Sequence, residues 1–350
     1  MAGSPSVVLI LPGSLANLTG GYIYDRRMVE GLRNLGWTVD LRQLDSSFPR
    51  PTPAARAEAA RIFASIADGS TVVVDGLALG ALASEAEQEA GRLRLVALVH
   101  HPLAEETGLD PVSAAELRTS ERRALAVTRR VIVTSRSTAE TLLKYGVTRD
   151  RMAVVEPGTD PAPLARGSAG PGVHLLCVAA LIPRKGHDIL FQALERLGDR
   201  PWHLTCVGSP DRHPETTERL CAYLNRASLA TRVRLVGEAD GARLSGYYDA
   251  ADVFVLPTYH EGYGMVVAEA LARGLPVVST PTGAIPELVG GDAGILVPAG
   301  HADALCAALR RVIDDRRLLE NLRLGAARGR ERLPTWTGSV ANLAGTLADV

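Results

Sequence analysis

Twice along its length this chain alternates short, continuous apolar runs with longer helical patterns, and that alternation restricts it to a parallel α/β architecture. In the first half the runs are 7–11, 39–44, 71–75, 95–100, 131–135 and 152–155. In the second half they are 174–180, 203–207, 233–237, 253–257, 276–279 and 294–297. Continuous apolar runs suit strands buried on both faces. Helices between such strands imply right-handed crossovers.

The two sets are separated by PAPLARGSAGPG (161–172), dense in Pro and Gly and without apolar period, which reads as a linker. The expected layout is a first domain over 1–160, the linker 161–172 and a second domain over 173–332. The tail 333–350 carries an isolated Trp336 and a helical pattern, and is expected to pack back on the first domain. The expected fold class is therefore α/β, with two Rossmann-like doubly wound domains facing a deep cleft, because such sheets bind ligands at the carboxyl ends of their strands.

Composition narrows the function. A net charge of −1 gives no general attraction to nucleic acid, so any basic site must be local. Of the 38 basic residues only Lys144 and Lys185 are lysines, which makes a lysine at a suggestive position informative. The four cysteines (Cys177, Cys206, Cys221, Cys306) have no C-x-x-C spacing and read as small buried apolar residues. The N-terminal segment MAGSPSVVLILPGS lacks a charged leader, and no stretch approaches the roughly 20 apolar residues of a membrane span. A cytoplasmic location is expected.

The segment PTYHEGYGMVVAEALARGLPVVST (257–280) concentrates the chemistry. A strand ends near Pro257, a loop with Gly262 and Gly264 follows, and a helix through Met265 to Arg273 is closed by Gly274. A Gly-rich turn entering a helix leaves N–H donors aimed at one point and favours an anion. Glu269 lies within an apolar run, so its carboxylate needs donors, which ribose hydroxyls would supply. Glu261 could accept from sugar hydroxyls. The plainer alternative pairs Glu269 with Arg273 and leaves Glu261 in water.

In VAALIPRKGHDILFQAL (178–194), Arg184 and Lys185 stand at a strand-to-helix turn. Two fixed cations there could neutralise a diphosphate leaving group as its charge grows. The alternative is two solvated charges at a strand end.

The run EGYGMVVAEALARGLPVVSTPTGAIPELVGGDAGILVPAG resembles the donor site of the GT-B retaining glycosyltransferases of family four (glycosyl transferases group 1). The E-x7-E pair of that family matches Glu261 and Glu269, and the resemblance extends weakly over the first half. It implies that Glu269 binds the donor ribose, Glu261 holds the transferred sugar, and Gly262, Tyr263 and Gly264 lend backbone donors. Lys185 matches the lysine of the P-x-K-G turn. The sequence departs at Ala180, where the family often has Arg, and Arg184 is the substitute. Gly237 and Glu238 fall in a segment resembling the nucleotide-base loop.

In the first half, Gly20 and Gly21 open a helix after the first strand, a second anion-ready terminus. The segment resembles the glycine loop beside the donor diphosphate, which implies a role for Gly21 there and places Tyr22, Tyr24 and Asp25 near the acceptor. His100, at the end of LVALVHHPL, matches the family histidine near the transferred sugar, and His101 is an extra on the acceptor side. With no carboxylate cluster noted beside these histidines, no metal site is assigned. The Arg-rich helix 113–130 reads as a solvated face with Glu116 and Glu121 paired to arginines. A weak peripheral contact with the inner face of a membrane is its second reading.

The resemblance implies transfer of a hexosyl unit from a nucleotide diphosphate sugar to a hydroxyl acceptor, with retention and a front-face route. UDP-sugar is favoured and GDP-mannose second. No D-x-D motif occurs, so no metal is required, and no cofactor is expected because the nucleotide sugar is a substrate. A phosphorylase or sugar-nucleotide epimerase could share the scaffold, as could a nucleotide-sugar-binding protein without catalysis. The acceptor and the oligomeric state are not legible.

Overall fold

A computed structural model describes residues 4–350. The first three residues of the N-terminal segment, on which part of the no-leader expectation rests, lie outside the described residues. The chain forms two compact units: one takes the residues through Gly158 together with Pro334–Val350, the other Thr159–Leu333.

The first unit is built on β1 (Ser6–Pro12), β2 (Thr38–Leu44), β3 (Thr71–Asp75), β4 (Arg94–Val99), β5 (Arg130–Val133) and β6 (Met152–Val154). All pairings are parallel, in the order β2-β1-β3-β4-β5-β6. The chain moves one way from β1 to β2 and the other way from β3 onward, so the topological switch lies between β1 and β3. All five residues of β3 are buried, as a strand covered on both faces requires.

The tail belongs to this unit. The helix Trp336–Ala348 lies on the helix Gly20–Asn34. Contact is so close at Gly31 that a Cβ there would come within 2.3 Å of Val340 Cγ2. Gly158 meets the start of the tail helix in the same way, with a Cβ 2.2 Å from the Trp336 nitrogen. The Arg27 guanidinium lies over the Trp336 ring at 5.4 Å.

The second unit contains β7 (Val173–Val178), β8 (Trp202–Val207), β9 (Val233–Leu235), β10 (Val253–Leu256), β11 (Val277–Ser279) and β12 (Gly294–Leu296). They pair in parallel in the order β12-β11-β10-β7-β8-β9, with the switch between β7 and β10. Leu175, Leu176, Phe254 and Val255 are fully buried at its centre. Of the cysteines, Cys177, Cys206 and Cys306 are buried, but Cys221 is exposed on the outer side of its helix, which corrects the expectation for that residue.

The segment 161–172 forms no helix or strand. It is stitched to the second unit: Ala165 N donates to Arg273 O at 2.8 Å, Gly167 N to Asp249 O at 2.9 Å, and the Arg166 guanidinium pairs with Asp249. Among the described residues, no helix is long and apolar enough to cross a membrane.

Candidate active site

In the second unit the two loops that leave the switch strands β7 and β10 meet. After β7 comes the 3-10 turn Pro183–Lys185, closed by Gly186 at φ +69°. A Cβ on Gly186 would lie 2.1 Å from the Pro257 carbonyl oxygen, so only glycine lets this turn press on the end of β10. Tyr259 N (2.8 Å) and the Thr258 hydroxyl (3.1 Å) both donate to Arg184 O, fixing one loop on the other.

This contact brings Lys185 Nζ onto Glu261 Oε1 as an ion pair with both side chains largely buried. Arg184 lies 3.8 Å from the same oxygen and donates to His260 O at 2.9 Å. Burial raises the Glu261 pKa, but the Lys185 and Arg184 charges outweigh it and hold the carboxyl below its ordinary value. The structure thus brings three of the sequence-derived residues together, with Arg184 and Lys185 converging on the Glu261 carboxylate.

The helix Met265–Ala272 starts beside them. Its N-cap is Gly264, at φ +91°, with no side chain to cap the first N–H groups. Gly264 O takes the N–H groups of Val267 (2.8 Å) and Ala268 (3.2 Å), which leaves those of Met265 and Val266 at the helix start without a side-chain cap. Tyr263 is buried against Ala268 and Ala284, so its contribution to a ligand is through the backbone. Gly283 is the counterpart on the next loop: a Cβ there would come 1.9 Å from Glu261 O, so the TGAIPE segment seats directly on the Glu261–Gly262 backbone.

Glu269, one helical turn on from Met265, accepts from the Tyr248 hydroxyl at 2.9 Å. Burial raises its pKa, and the Tyr248 hydrogen bond and the Arg273 charge pull it back in part. Arg273 donates to the Glu269 main-chain oxygen (3.0 Å) and not to the carboxylate. Tyr248, 21 residues earlier, had no signal in the sequence except a tyrosine on a helix. Gly237 adopts φ +73°, and its carbonyl accepts from Gly208 N at 2.8 Å. Glu238 is exposed.

In the first unit His100 stands at the end of β4. Its Nε2 lies 3.0 Å from Asp25 Oδ1 and 3.4 Å from Asp75 Oδ2. The Tyr24 ring meets the imidazole edge-on at 5.1 Å, and its hydroxyl donates to Val155 O. Gly21 lies against the imidazole, with a Cβ position 3.4 Å from His100 Cδ2. Burial lowers the His100 pKa, but Asp25 and then Asp75 outweigh it and push it up to about 10. Burial raises Asp25, to about 6, against the opposing pull of His100.

Three expectations change here. Tyr24 and Asp25 are 1% and 2% exposed, so they support His100 from beneath and present no surface to an acceptor. The reason is helical phase: Tyr24, Asp25, Met28, Val29 and Leu32 form the buried face of their helix. Tyr22 is half-buried, with its hydroxyl donating to Pro12 O at 2.7 Å, and His101 is half-buried with both ring nitrogens turned inward. Second, carboxylates do accompany the histidine: Asp75 was missed, although an Asp closing an apolar strand before Gly is a recognisable helix cap. Third, Glu121 does not pair with an arginine. It is buried and accepts from Leu103 N and Ala104 N at 2.7 and 3.2 Å, while Arg118 and Arg123 pair with Glu105 and Glu87.

The comparisons with known proteins decide the family. The model described as Glycosyltransferase Family 4 matches residues 24–163, and that described as Glycosyl transferases group 1 matches residues 172–315. This chain belongs to the group 1 glycosyltransferases. Each unit of this family member carries its own match. A D-inositol 3-phosphate glycosyltransferase of Jonesia denitrificans is 29% identical over 57% of this chain and 51% of its own length. The chain spans about half the length of the curated relatives it first matches. Among solved structures, sucrose-phosphate synthase from Thermosynechococcus elongatus aligns with a TM-score of 0.83 at 21% identity, over 99% of this chain and 98% of that one. Anabaena HepE in complex with UDP-glucose aligns with a TM-score of 0.77 at 16% identity, over 99% and 100%. The fold of this group 1 family member is GT-B.

Proposed function

We propose that the protein is a retaining glycosyltransferase that moves a hexosyl unit from a nucleotide diphosphate sugar to a hydroxyl acceptor. The observation that carries this reading is the constellation at the switch point of the second unit. Lys185 and Arg184 converge on buried Glu261, beside a helix N-terminus capped only by Gly264. Cations and free N–H donors suit a diphosphate, and a carboxylate held ionised suits sugar hydroxyls.

In this reading Lys185 and Arg184 stabilise the charge that develops on the leaving diphosphate. The leaving phosphate oxygen takes the acceptor proton, and the new bond forms on the face the nucleotide leaves. Glu261 orients the transferred sugar, and Glu269, held from beneath by the buried Tyr248 hydroxyl, receives the ribose. The first unit supplies His100 as its reactive side chain. UDP-sugar is the favoured donor, supported by the fold shared with a protein solved with UDP-glucose. GDP-mannose is second. The proposal requires no metal, since the cations it needs are side chains.

The test is donor turnover with UDP-, GDP- and ADP-sugars, in the presence and absence of EDTA. Nucleotide diphosphate release that depends on a hydroxyl acceptor, survives EDTA and disappears in Lys185→Ala supports the reading. Phosphorolysis or release of epimerised free sugar contradicts it.

A further inference from the structure

The cluster around His100 has a geometry of its own. It lies at the switch point of the first unit: Asp25 is on the helix that follows β1, Asp75 closes β3, and His100 follows β4. Both carboxylates are almost fully buried, at 2% and 3% exposure. Both address the same imidazole nitrogen, Nε2, at 3.0 and 3.4 Å.

Asp75 is fixed at both ends of its carboxylate. Oδ1 accepts from Leu77 N at 2.7 Å as the helix cap, which leaves Oδ2 turned to the histidine. Tyr24 fixes the ring from the side, with its hydroxyl anchored on Val155 O. The titratable groups that face His100 are thus Asp25 and Tyr24 from one helix and Asp75 from β3.

Two buried carboxylates this close repel each other and have lost their water. A neutral imidazole would leave both charges uncompensated. An imidazolium between them cancels one, gives Asp25 a charge-assisted hydrogen bond at 3.0 Å and gives Asp75 an ion-pair contact at 3.4 Å. We propose that Asp25 and Asp75 are positioning residues that hold His100 as an imidazolium at neutral pH, committing Nε2–H to the protein and leaving Nδ1–H as a charged donor. Such a donor suits an anionic or strongly polarised oxygen, the phosphate or sugar oxygens of a nucleotide sugar. That use rests on the function proposed above; the protonation state does not.

The experiment is 15N NMR of the histidine rings in the full chain, titrated from pH 5 to 10.5, with His100 assigned by its loss in His100→Gln. Both His100 nitrogens are expected to stay protonated through pH 8. The midpoint should fall by two pH units or more in Asp25→Asn and in Asp75→Asn. The Asn at 75 keeps the cap to Leu77, so that variant retains the local fold, and the wild-type titration decides even where a variant unfolds. A neutral His100 at pH 7.5, or a midpoint unmoved in folded variants, overturns the proposal. So does a stoichiometric shift of the His100 resonances by added Mn²⁺ or Zn²⁺, which would make the cluster a cation site. Should nucleotide-sugar turnover be absent altogether, the proposed function fails while this titration still stands.

Discussion

Lys185 and Glu261, 76 residues apart in sequence, form a buried ion pair at the point where the loops after β7 and β10 touch. Neither charge is placed there by its own loop. Gly186 permits the approach, and the Arg184 carbonyl, taken by Thr258 and Tyr259, locks it. A buried pair of this kind contributes little net stability, because desolvation offsets attraction. What it does provide is two opposite charges held ready at one place.

Breaking that pair from one side should therefore be costly. Lys185→Ala leaves buried Glu261 with only the more distant Arg184, and Glu261→Ala leaves Lys185 and Arg184 without their shared carboxylate, so each should destabilise, by up to about 3–5 kcal/mol. The apolar double replacement Lys185→Met with Glu261→Leu should recover most of that loss. Urea unfolding of the four proteins checks this, and a double replacement that costs as much as the two single ones summed would show that the pairing energy is absent.

Acid should act on the same pair. The Glu261 pKa is lowered in the fold from its ordinary value of 4.5. Its contribution to stability is then fully present above pH 4.5 and is lost as the pH falls through the lower folded value. The difference in unfolding free energy between wild type and Glu261→Gln should be flat above pH 5.5 and shrink below pH 4.5. A difference that grows on acidification would contradict the shift.

Glu121 should show the opposite sign. Burial pushes its pKa from 4.5 up to about 7, against the two backbone N–H donors of Leu103 and Ala104. The folded state holds this proton more tightly than the unfolded chain. Stability from this group is present below pH 4.5 and is lost as the pH rises to 7, by about 3 kcal/mol at most. Glu121→Gln should remove that slope in a pH series of denaturant melts.

The tail should reveal its docking through a reciprocal pair. Gly31→Ala places a methyl against Val340 and should cost about 1–3 kcal/mol by overpacking. Val340→Ala in the same chain should relieve part of it. Thermal melts of the two singles and the double would measure the coupling, and strict additivity would show that the two helices adjust freely.

The fold was legible because buried parallel strands advertise themselves. Val72, Val73 and Val74 form an unbroken apolar run between Thr71 and Asp75, and all expected runs fall on observed strands to within two residues at their ends. The order of those strands was not legible, since periodicity says nothing about which strand lies beside which. The same limit applies to the site. Glu261, Lys185 and the Gly264 turn stood out through local motifs. Tyr248 and Asp75 became visible only when the fold placed them against Glu269 and His100. Tyr24 and Asp25 were misplaced because a glycine-led helix start draws attention to the residues that follow, whereas the helical phase buries those two.

The central claim is that the second unit binds a nucleotide diphosphate through Lys185 and the Gly264 helix terminus. Calorimetric titration of UDP, GDP and ADP into wild type, Lys185→Ala and Glu261→Gln tests it most directly. The account predicts that wild type binds at least one diphosphate, UDP first. Lys185→Ala should weaken that binding at least tenfold, while Glu261→Gln, which faces the sugar, largely retains it. Undiminished binding in Lys185→Ala, or no binding of any of the three by wild type, would contradict it.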